Sequence, residues 1–176
     1  MTVDNLTSNS HGLLVAKIAP KKSRVVSGKR AFVIVASRFN ATYVQGLVNH
    51  ASEQLREEMP GAVLSLYQVP GAFEIPIVVR EFASQKKADG IIAMGVIIKG
   101  RTKHAENLAR SVTDALQRIA VESGVPVINA VLSLKNESQA RERCLEDKIN
   151  RGTEAAKAAI EITNLIAELR EKQPHG

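Results

Sequence analysis

The chain of 176 residues is poor in cysteine and in aromatic residues. Its one cysteine, Cys144, excludes an intramolecular disulfide and a metal site built from clustered cysteines. It has no tryptophan, and aromatic residues make up 3% of the chain, so aliphatic residues and alanine must fill the core. The four histidines show neither HxH nor HExxH spacing, and we therefore predict no metal site.

A long apolar segment and a basic face on the main body are also missing. The apolar stretch at 13–19 (LLVAKIA) is too short and too interrupted for a signal or transmembrane segment. The net charge is +6, but the first 30 residues hold six basic groups against one acidic group, and the rest holds 18 against 17. No basic cluster with aromatics stands out in that rest. We expect no nucleic-acid partner, no membrane association and a cytoplasmic location.

Two regions follow from this charge distribution and from chain length. We predict a basic N-terminal leader with a short strand over residues 1–30, and a single domain over residues 31–176. Two readings of the leader stay open: a solubilising tail, or a docking segment for acidic cargo.

Strand and helix patterns alternate along the predicted domain. Continuous apolar runs predict strands, and apolar residues at helical spacing predict helices between and after them. Strands separated by helices pair in parallel through right-handed crossovers, so we predict a three-layer α/β/α sandwich with ligands at the carboxyl ends of its strands. The predicted strands are 31–36, 63–69, 89–98 and 125–132, and the helices are 42–59, 77–85, 103–122, 137–145 and 153–169.

The loops after the first two strands carry groups suited to a flat polar ligand. Phe39 can stack on a heterocycle, while Asn40 can hydrogen-bond to a ligand or cap the next helix. In the stretch 69–76 (VPGAFEIP), Gly71 allows close backbone approach and Glu74 offers a carboxylate. Taken singly, each loop also fits an ordinary structural connection.

The stretch 95–104 (GVIIKGRTKH) combines a glycine turn, positive charge and a hydroxyl. Arg101 and Thr102, followed by a helix start, favour an anion such as phosphate, although the Walker spacing is absent. His104 is suited to proton transfer, with a structural histidine as the alternative. Further along, Arg143 and Arg151 offer guanidinium groups for an anion, whereas Arg141 on the same helix as Arg143 is expected to face water.

Five of these motifs, taken in order, resemble the 6,7-dimethyl-8-ribityllumazine synthase family. They are RFN at 38–40, PGAFEIP at 70–76, GxxIxGxTxH at 95–104, QAxER at 139–143 and NxGxEAAxAAxE at 150–161. The resemblance implies a flavodoxin-like sandwich with a four-stranded parallel sheet and no cofactor. It also implies a homopentamer in which the stretch 13–19 adds a strand to a neighbouring subunit, assembly of pentamers into a 60-subunit shell, and riboflavin synthase as a potential cargo.

The resemblance further implies an enzyme of riboflavin biosynthesis acting on two small molecules, 5-amino-6-(D-ribitylamino)uracil and 3,4-dihydroxy-2-butanone 4-phosphate. In it His104 transfers protons, and Arg143 of the adjacent subunit holds phosphate with Thr102. The other implied substrate-binding residues are Phe39, Asn40, Ala72, Phe73, Glu74, Val96, Ile97, Ile98, Arg101, Asn129 and Arg151.

Four positions depart from the family pattern. Asn129 and Ala105 stand where aromatics are usual, Glu106 stands in place of aspartate, and Arg151 in place of lysine. These departures leave an alternative open, in which the chain is a catalytically weakened paralogue that forms a lumazine- or flavin-binding shell.

Overall fold

The computed structural model describes residues 29–100 and 103–172. The predicted donor strand at 13–19 lies outside these ranges, as do Arg101 and Thr102. Within the described ranges, each of four strands is followed by a helix, and a fifth helix ends this part of the chain. This is the predicted order. The elements are β1 (Ala31–Ser37), α1 (Ala41–Glu58), β2 (Val63–Val69), a 3-10 turn (Ala72–Glu74), α2 (Ile75–Ser84), β3 (Gly90–Ile98), α3 (His104–Ser123), β4 (Val127–Leu134), α4 (Glu137–Cys144) and α5 (Arg151–Glu171).

The strands form one parallel sheet in the order β2-β1-β3-β4. The predicted four-stranded parallel sheet is therefore confirmed. The central strands β1 and β3 are buried almost throughout, as expected for continuous apolar sequences covered on both faces. The edge strand β2 is more exposed, and Leu66 and Tyr67 contact solvent.

Helices cover both faces of this sheet, which confirms the predicted three layers. On β1, Phe32 and Ile34 pack against α1, α4 and α5, whereas Val33 and Val35 belong to the core shared with α2 and α3. This alternation follows from the two-residue period of a strand. Each fully buried aliphatic or aromatic side chain stabilises the fold by roughly 1.5–3 kcal/mol.

Most elements begin or end one or two residues from the predicted positions, and two of these differences have a clear cause. Strand β4 begins at Val127, because Pro126 has no N–H for strand pairing, although its carbonyl accepts from Ile91 N at 2.9 Å. Helix α5 begins at Arg151, two residues earlier than predicted. The cause is an N-terminal cap, since the Asn150 side chain accepts from the N–H groups of Gly152 and Thr153 at 2.8 and 3.4 Å.

Glycine permits a close approach between α1 and α5. A Cβ atom on Gly152 would overlap the carbonyl oxygen of Leu47 on α1 and would lie 3.0 Å from Asn150 Oδ1. The helix pair therefore packs backbone to backbone at this point, which only glycine allows.

The strand order reverses direction between β1 and β3. The chain crosses from β1 to β2 on one side and then returns to β3 on the other. At such a point the connecting loops separate and leave a crevice at the carboxyl ends of the strands, where ligands of doubly wound sheets bind. Among the described helices, none combines the length and apolar character that crossing a bilayer requires.

Candidate active site

A cavity of about 430 Å³ lies at the carboxyl ends of β1 and β3. Its walls come from the residues after β1, the 3-10 turn after β2, the end of β3 and the first turns of α3. A volume of this size suits a small organic ligand. The cavity gathers these predicted site residues: Phe39, Ala72, Phe73, Glu74, Val96, Ile97, Ile98 and His104.

Phe39 projects from the loop after β1 and is 70% exposed at the cavity. Its neighbour Asn40 has φ 56°, a left-handed conformation that asparagine tolerates better than most residues. The expected side-chain cap of α1 is absent. Instead the Asn40 amide donates to the main-chain carbonyl of Val96 at 2.7 Å, joining the loop after β1 to β3.

The 3-10 turn positions the predicted PGAFEIP residues. Gly71 N–H donates to the Glu74 carboxylate at 2.9 Å, which closes the turn from within. Pro76 lies in the first turn of α2, as predicted, where no intrahelical N–H is needed. Ala72 is buried at the cavity wall, whereas Phe73 is 67% exposed at its rim.

Helix α3 begins at His104, which lines the cavity together with Ala105 and Leu108. Glu106, in the same turn, accepts a hydrogen bond from Lys99 Nζ at 2.7 Å. That hydrogen bond and the positive charge of Lys99 lower the pKa of the exposed Glu106 carboxyl. The departure at Glu106 therefore serves an ion pair that links the end of β3 to the start of α3.

Asn129, Arg143 and Arg151 lie elsewhere, in a groove of about 540 Å³ along β4, α4 and α5. The Asn129 side chain donates to Thr113 Oγ1 at 3.1 Å and accepts from Val131 N at 3.0 Å. It therefore satisfies a main-chain N–H of the edge strand β4. Arg151 pairs with Glu154 of its own helix. Arg143 lies 4.0 Å from Glu142, a weak ion pair that leaves its guanidinium at the groove.

The cavity and the groove have no lining residue in common. Ile97, Ala72 and Ala105 of the cavity belong to the core on the α2 and α3 side of the sheet. Ala130 and Ala155 of the groove belong to the core on the opposite side, to which Val96 of the cavity also contributes. Within one chain, Arg143 and His104 therefore lie in separate depressions.

Five residues that line the cavity are not among the predicted site residues, although Gly71 was expected to let the backbone approach a ligand: Ser37, Gly71, Gly100, Ala105 and Leu108. Leu108 lies four residues after His104 and three after Ala105, and this helical spacing is visible in the sequence. Ser37 is a polar residue ending an apolar strand, which was also visible in the sequence. The described residues contain no group of three histidine, cysteine or acidic side chains placed to hold a metal ion.

Fold and cavity together define a doubly wound α/β protein with a ligand-sized crevice at the reversal of its strand order. Within that class, the chain belongs to the 6,7-dimethyl-8-ribityllumazine synthase family, whose profile matches residues 29–167. It is similar to 6,7-dimethyl-8-ribityllumazine synthase of Halorhodospira halophila (strain DSM 244 / SL1), with 38% identity over 139 residues. This alignment covers 78% of the chain and 89% of the relative.

Proposed function

We propose that the chain catalyses the condensation of 5-amino-6-(D-ribitylamino)uracil with 3,4-dihydroxy-2-butanone 4-phosphate. The products are 6,7-dimethyl-8-ribityllumazine, phosphate and water, and the step belongs to riboflavin biosynthesis. Family membership across residues 29–167 carries the proposal. No observation on the fold or the cavity favours the alternative of a catalytically weakened binding shell.

The pyrimidine substrate occupies the cavity and stacks on Phe39, whose exposed ring supports this placement. The pairing of β3 with β1 ends at Met94, although β3 continues to Ile98 beside β4. The β1 side of the last β3 residues therefore offers unpaired main-chain groups. Asn40 occupies the Val96 carbonyl there, and the two-residue period places the N–H and carbonyl of Ile98 on the same side.

These Ile98 groups bind the ring edge, with Ile97 completing the wall, while Ala72, Phe73 and Glu74 bind the ribityl chain. Glu74 accepts from ribityl hydroxyls through the carboxylate oxygens that Gly71 N–H leaves available, because a carboxylate has about four acceptor positions. The cavity thus holds a polar molecule by stacking and hydrogen bonds rather than by charge.

The reaction begins when the amine of the pyrimidine attacks the ketone carbonyl and forms an imine with loss of water. Phosphate then leaves, and the second amine closes the ring with loss of another water. His104, at the cavity wall, moves protons in these steps. Most of the acceleration comes from holding two polar reactants together, since positioning converts a bimolecular encounter into a reaction within one complex.

The complete site lies between adjacent subunits of a homopentamer. Arg143 and Arg151 of one subunit meet the cavity of the next, where Arg101 and Thr102 join them in binding phosphate, and Asn129 forms the second wall beside the pyrimidine. The cavity and the groove share no lining residue within one chain, and this separation supports the arrangement. The open edge of β2 is the place where a neighbour's stretch 13–19 adds a strand.

Higher assembly is part of the same proposal. The connection from α4 to α5 is short, like that of the shell-forming members, so twelve pentamers form a 60-subunit shell in the cytoplasm with riboflavin synthase as a potential cargo. Sedimentation velocity distinguishes a pentamer from a 60-subunit particle. A decamer or a pentamer at all concentrations would contradict the shell.

The deciding experiment follows lumazine absorbance and phosphate release with both substrates, using the wild type, Phe39→Asp, Arg143→Glu and a refolded equimolar mixture of the two variants. Both substituted side chains contact solvent, so the variants are expected to fold. A working site needs an unmodified Phe39 in one subunit and an unmodified Arg143 in its neighbour. Each condition is met half the time in a random mixture, so about a quarter of the sites are restored. A mixture no more active than its parents would contradict a shared site, and an inactive wild type would contradict the reaction.

A further inference from the structure

Ser37 is a buried hydroxyl at the inner wall of the cavity. It is the last residue of β1, is 2% exposed and lines the cavity. Its Oγ has no hydrogen-bond partner among the residues that the structure describes. A buried hydroxyl without a partner costs about 1–3 kcal/mol, so the sequence maintains an unfavourable group at this position.

On the side facing β3, this hydroxyl is bordered by a glycine and by apolar side chains. Gly95 lies beside it on β3, and a Cβ atom there would come within 3.3 Å of Ser37 Oγ, of Ile75 Cδ1 and of Val131 Cγ1. The missing side chain of Gly95 thus provides the room that Ser37 occupies. An alanine at position 37 would fill nearly the same space without burying an unpaired polar atom, so packing alone does not account for serine.

We infer that Ser37 is a specificity-determining residue whose hydroxyl hydrogen-bonds to the ring edge of the bound pyrimidine substrate. The inference rests on the proposed function and adds to it a contact that the family motifs do not include. A serine hydroxyl both donates and accepts, and rotation about χ1 redirects it without moving the backbone. A uracil ring presents carbonyl acceptors and N–H donors, and Phe39, two residues on, supplies the face on which that ring stacks.

This arrangement predicts discrimination as well as affinity. The unpaired hydroxyl is a cost in the empty cavity, and only a ligand with a hydrogen-bonding group at that position removes it. Ligands without such a group leave the cost in place and are rejected. The Ile75 and Val131 side chains beside Gly95 are hydrocarbon and offer the Ser37 hydroxyl no hydrogen bond.

The test compares Ser37→Ala, Ser37→Cys and the control Thr163→Val in the assembled full-length protein. Thr163 is also a buried hydroxyl, but it donates to the Ala159 and Ile160 carbonyls at 2.8 and 3.1 Å and lies away from the cavity. Calorimetry with the pyrimidine substrate alone gives Kd, steady-state assays give the KM of each substrate, and thermal melts give Tm.

Ser37→Ala should weaken pyrimidine binding about three- to tenfold, leave the KM of the phosphate substrate unchanged and keep or raise Tm. Ser37→Cys should weaken binding similarly, because the thiol restores volume but hydrogen-bonds poorly. Thr163→Val should lower Tm and leave Kd unchanged. A ribityl-free pyrimidine should show the same dependence on Ser37, since the contact is to the ring.

Equal pyrimidine Kd values for wild type and Ser37→Ala would overturn the inference while the proposed reaction stands. Full recovery of affinity in Ser37→Cys would also overturn it, by showing that volume rather than hydrogen bonding matters. Loss of the Ser37 dependence with the ribityl-free ring would move the contact to the chain and overturn the ring assignment. A wild type that binds the pyrimidine but does not turn over contradicts the proposed function alone.

Discussion

The side-chain amide of Asn40 and the main-chain carbonyl of Val96 are joined by a hydrogen bond of 2.7 Å. It links the residue before α1 to the part of β3 that extends beyond its pairing with β1. Without it the Val96 carbonyl would lack a partner at the point where the two loops separate. The bond therefore ties the loop after β1 to Val96, which lines the cavity.

Asn40→Asp should destabilise the protein by about 1–3 kcal/mol, because the carboxylate cannot donate and faces the Val96 carbonyl oxygen. Urea unfolding measures this free energy, and the KM of the pyrimidine should rise with it. Asn49→Asp is the matched control, since its side-chain oxygen still accepts from Gln45 on the exposed face of α1. Equal losses in the two variants would contradict the role of the bond.

Gly152→Ala should destabilise the fold by about 1–3 kcal/mol despite the better helix propensity of alanine. The added Cβ would overlap the Leu47 carbonyl oxygen and force α5 away from α1. Gly61→Ala is the control, since a Cβ there meets nothing within 4 Å. Its unfolding free energy should stay level or rise by about 0.4–1 kcal/mol. Comparable stability in both variants would show that α1 and α5 adjust without cost.

Much of this fold is readable from the sequence, and the reasons are local. The apolar runs of β1 and β3 identify buried strands, and Pro76 identifies the start of α2. The hydrogen bond of Asn40 is not readable, because it depends on β1 and β3 being neighbours in space. Sequence spacing likewise gives no sign that His104 and Arg143 lie in separate depressions of one chain.

Arg143→Ala should raise the KM of the phosphate substrate about tenfold or more and change the KM of the pyrimidine little. Arg143→Lys should recover part of the loss, because lysine keeps the charge but not the two-pronged geometry. Arg141→Ala is the control, as Arg141 is exposed on the same helix and does not line the groove. An unchanged KM for the phosphate substrate in Arg143→Ala would contradict its assignment.

His104→Ala should lower kcat about 10- to 100-fold and leave turnover well above the reaction without protein. Positioning of the two substrates survives the substitution, and only proton transfer is lost. His50→Ala is the control, because His50 lies on α1 beside Asp147 and does not line the cavity. Complete loss of turnover with intact assembly and substrate binding would show that proton transfer, rather than positioning, dominates the rate.

The buried thiol of Cys144 should make the free energy of unfolding decrease at alkaline pH. Burial raises the pKa of its thiol from 9.0 to about 11, because the thiolate would lie in an apolar core. Between those two values the unfolded chain loses the proton and the folded chain keeps it, so the folded state binds more protons and its stability falls as pH rises.

Below pH 9.0 both states carry the neutral thiol and the effect disappears. The unfolding free energy of the wild type should therefore decline more steeply than that of Cys144→Ala from pH 9.0 to about 11, and in parallel with it below. Urea titrations of both proteins at matched pH measure the difference. A constant gap across the range would show that the thiol ionises equally well in the folded state.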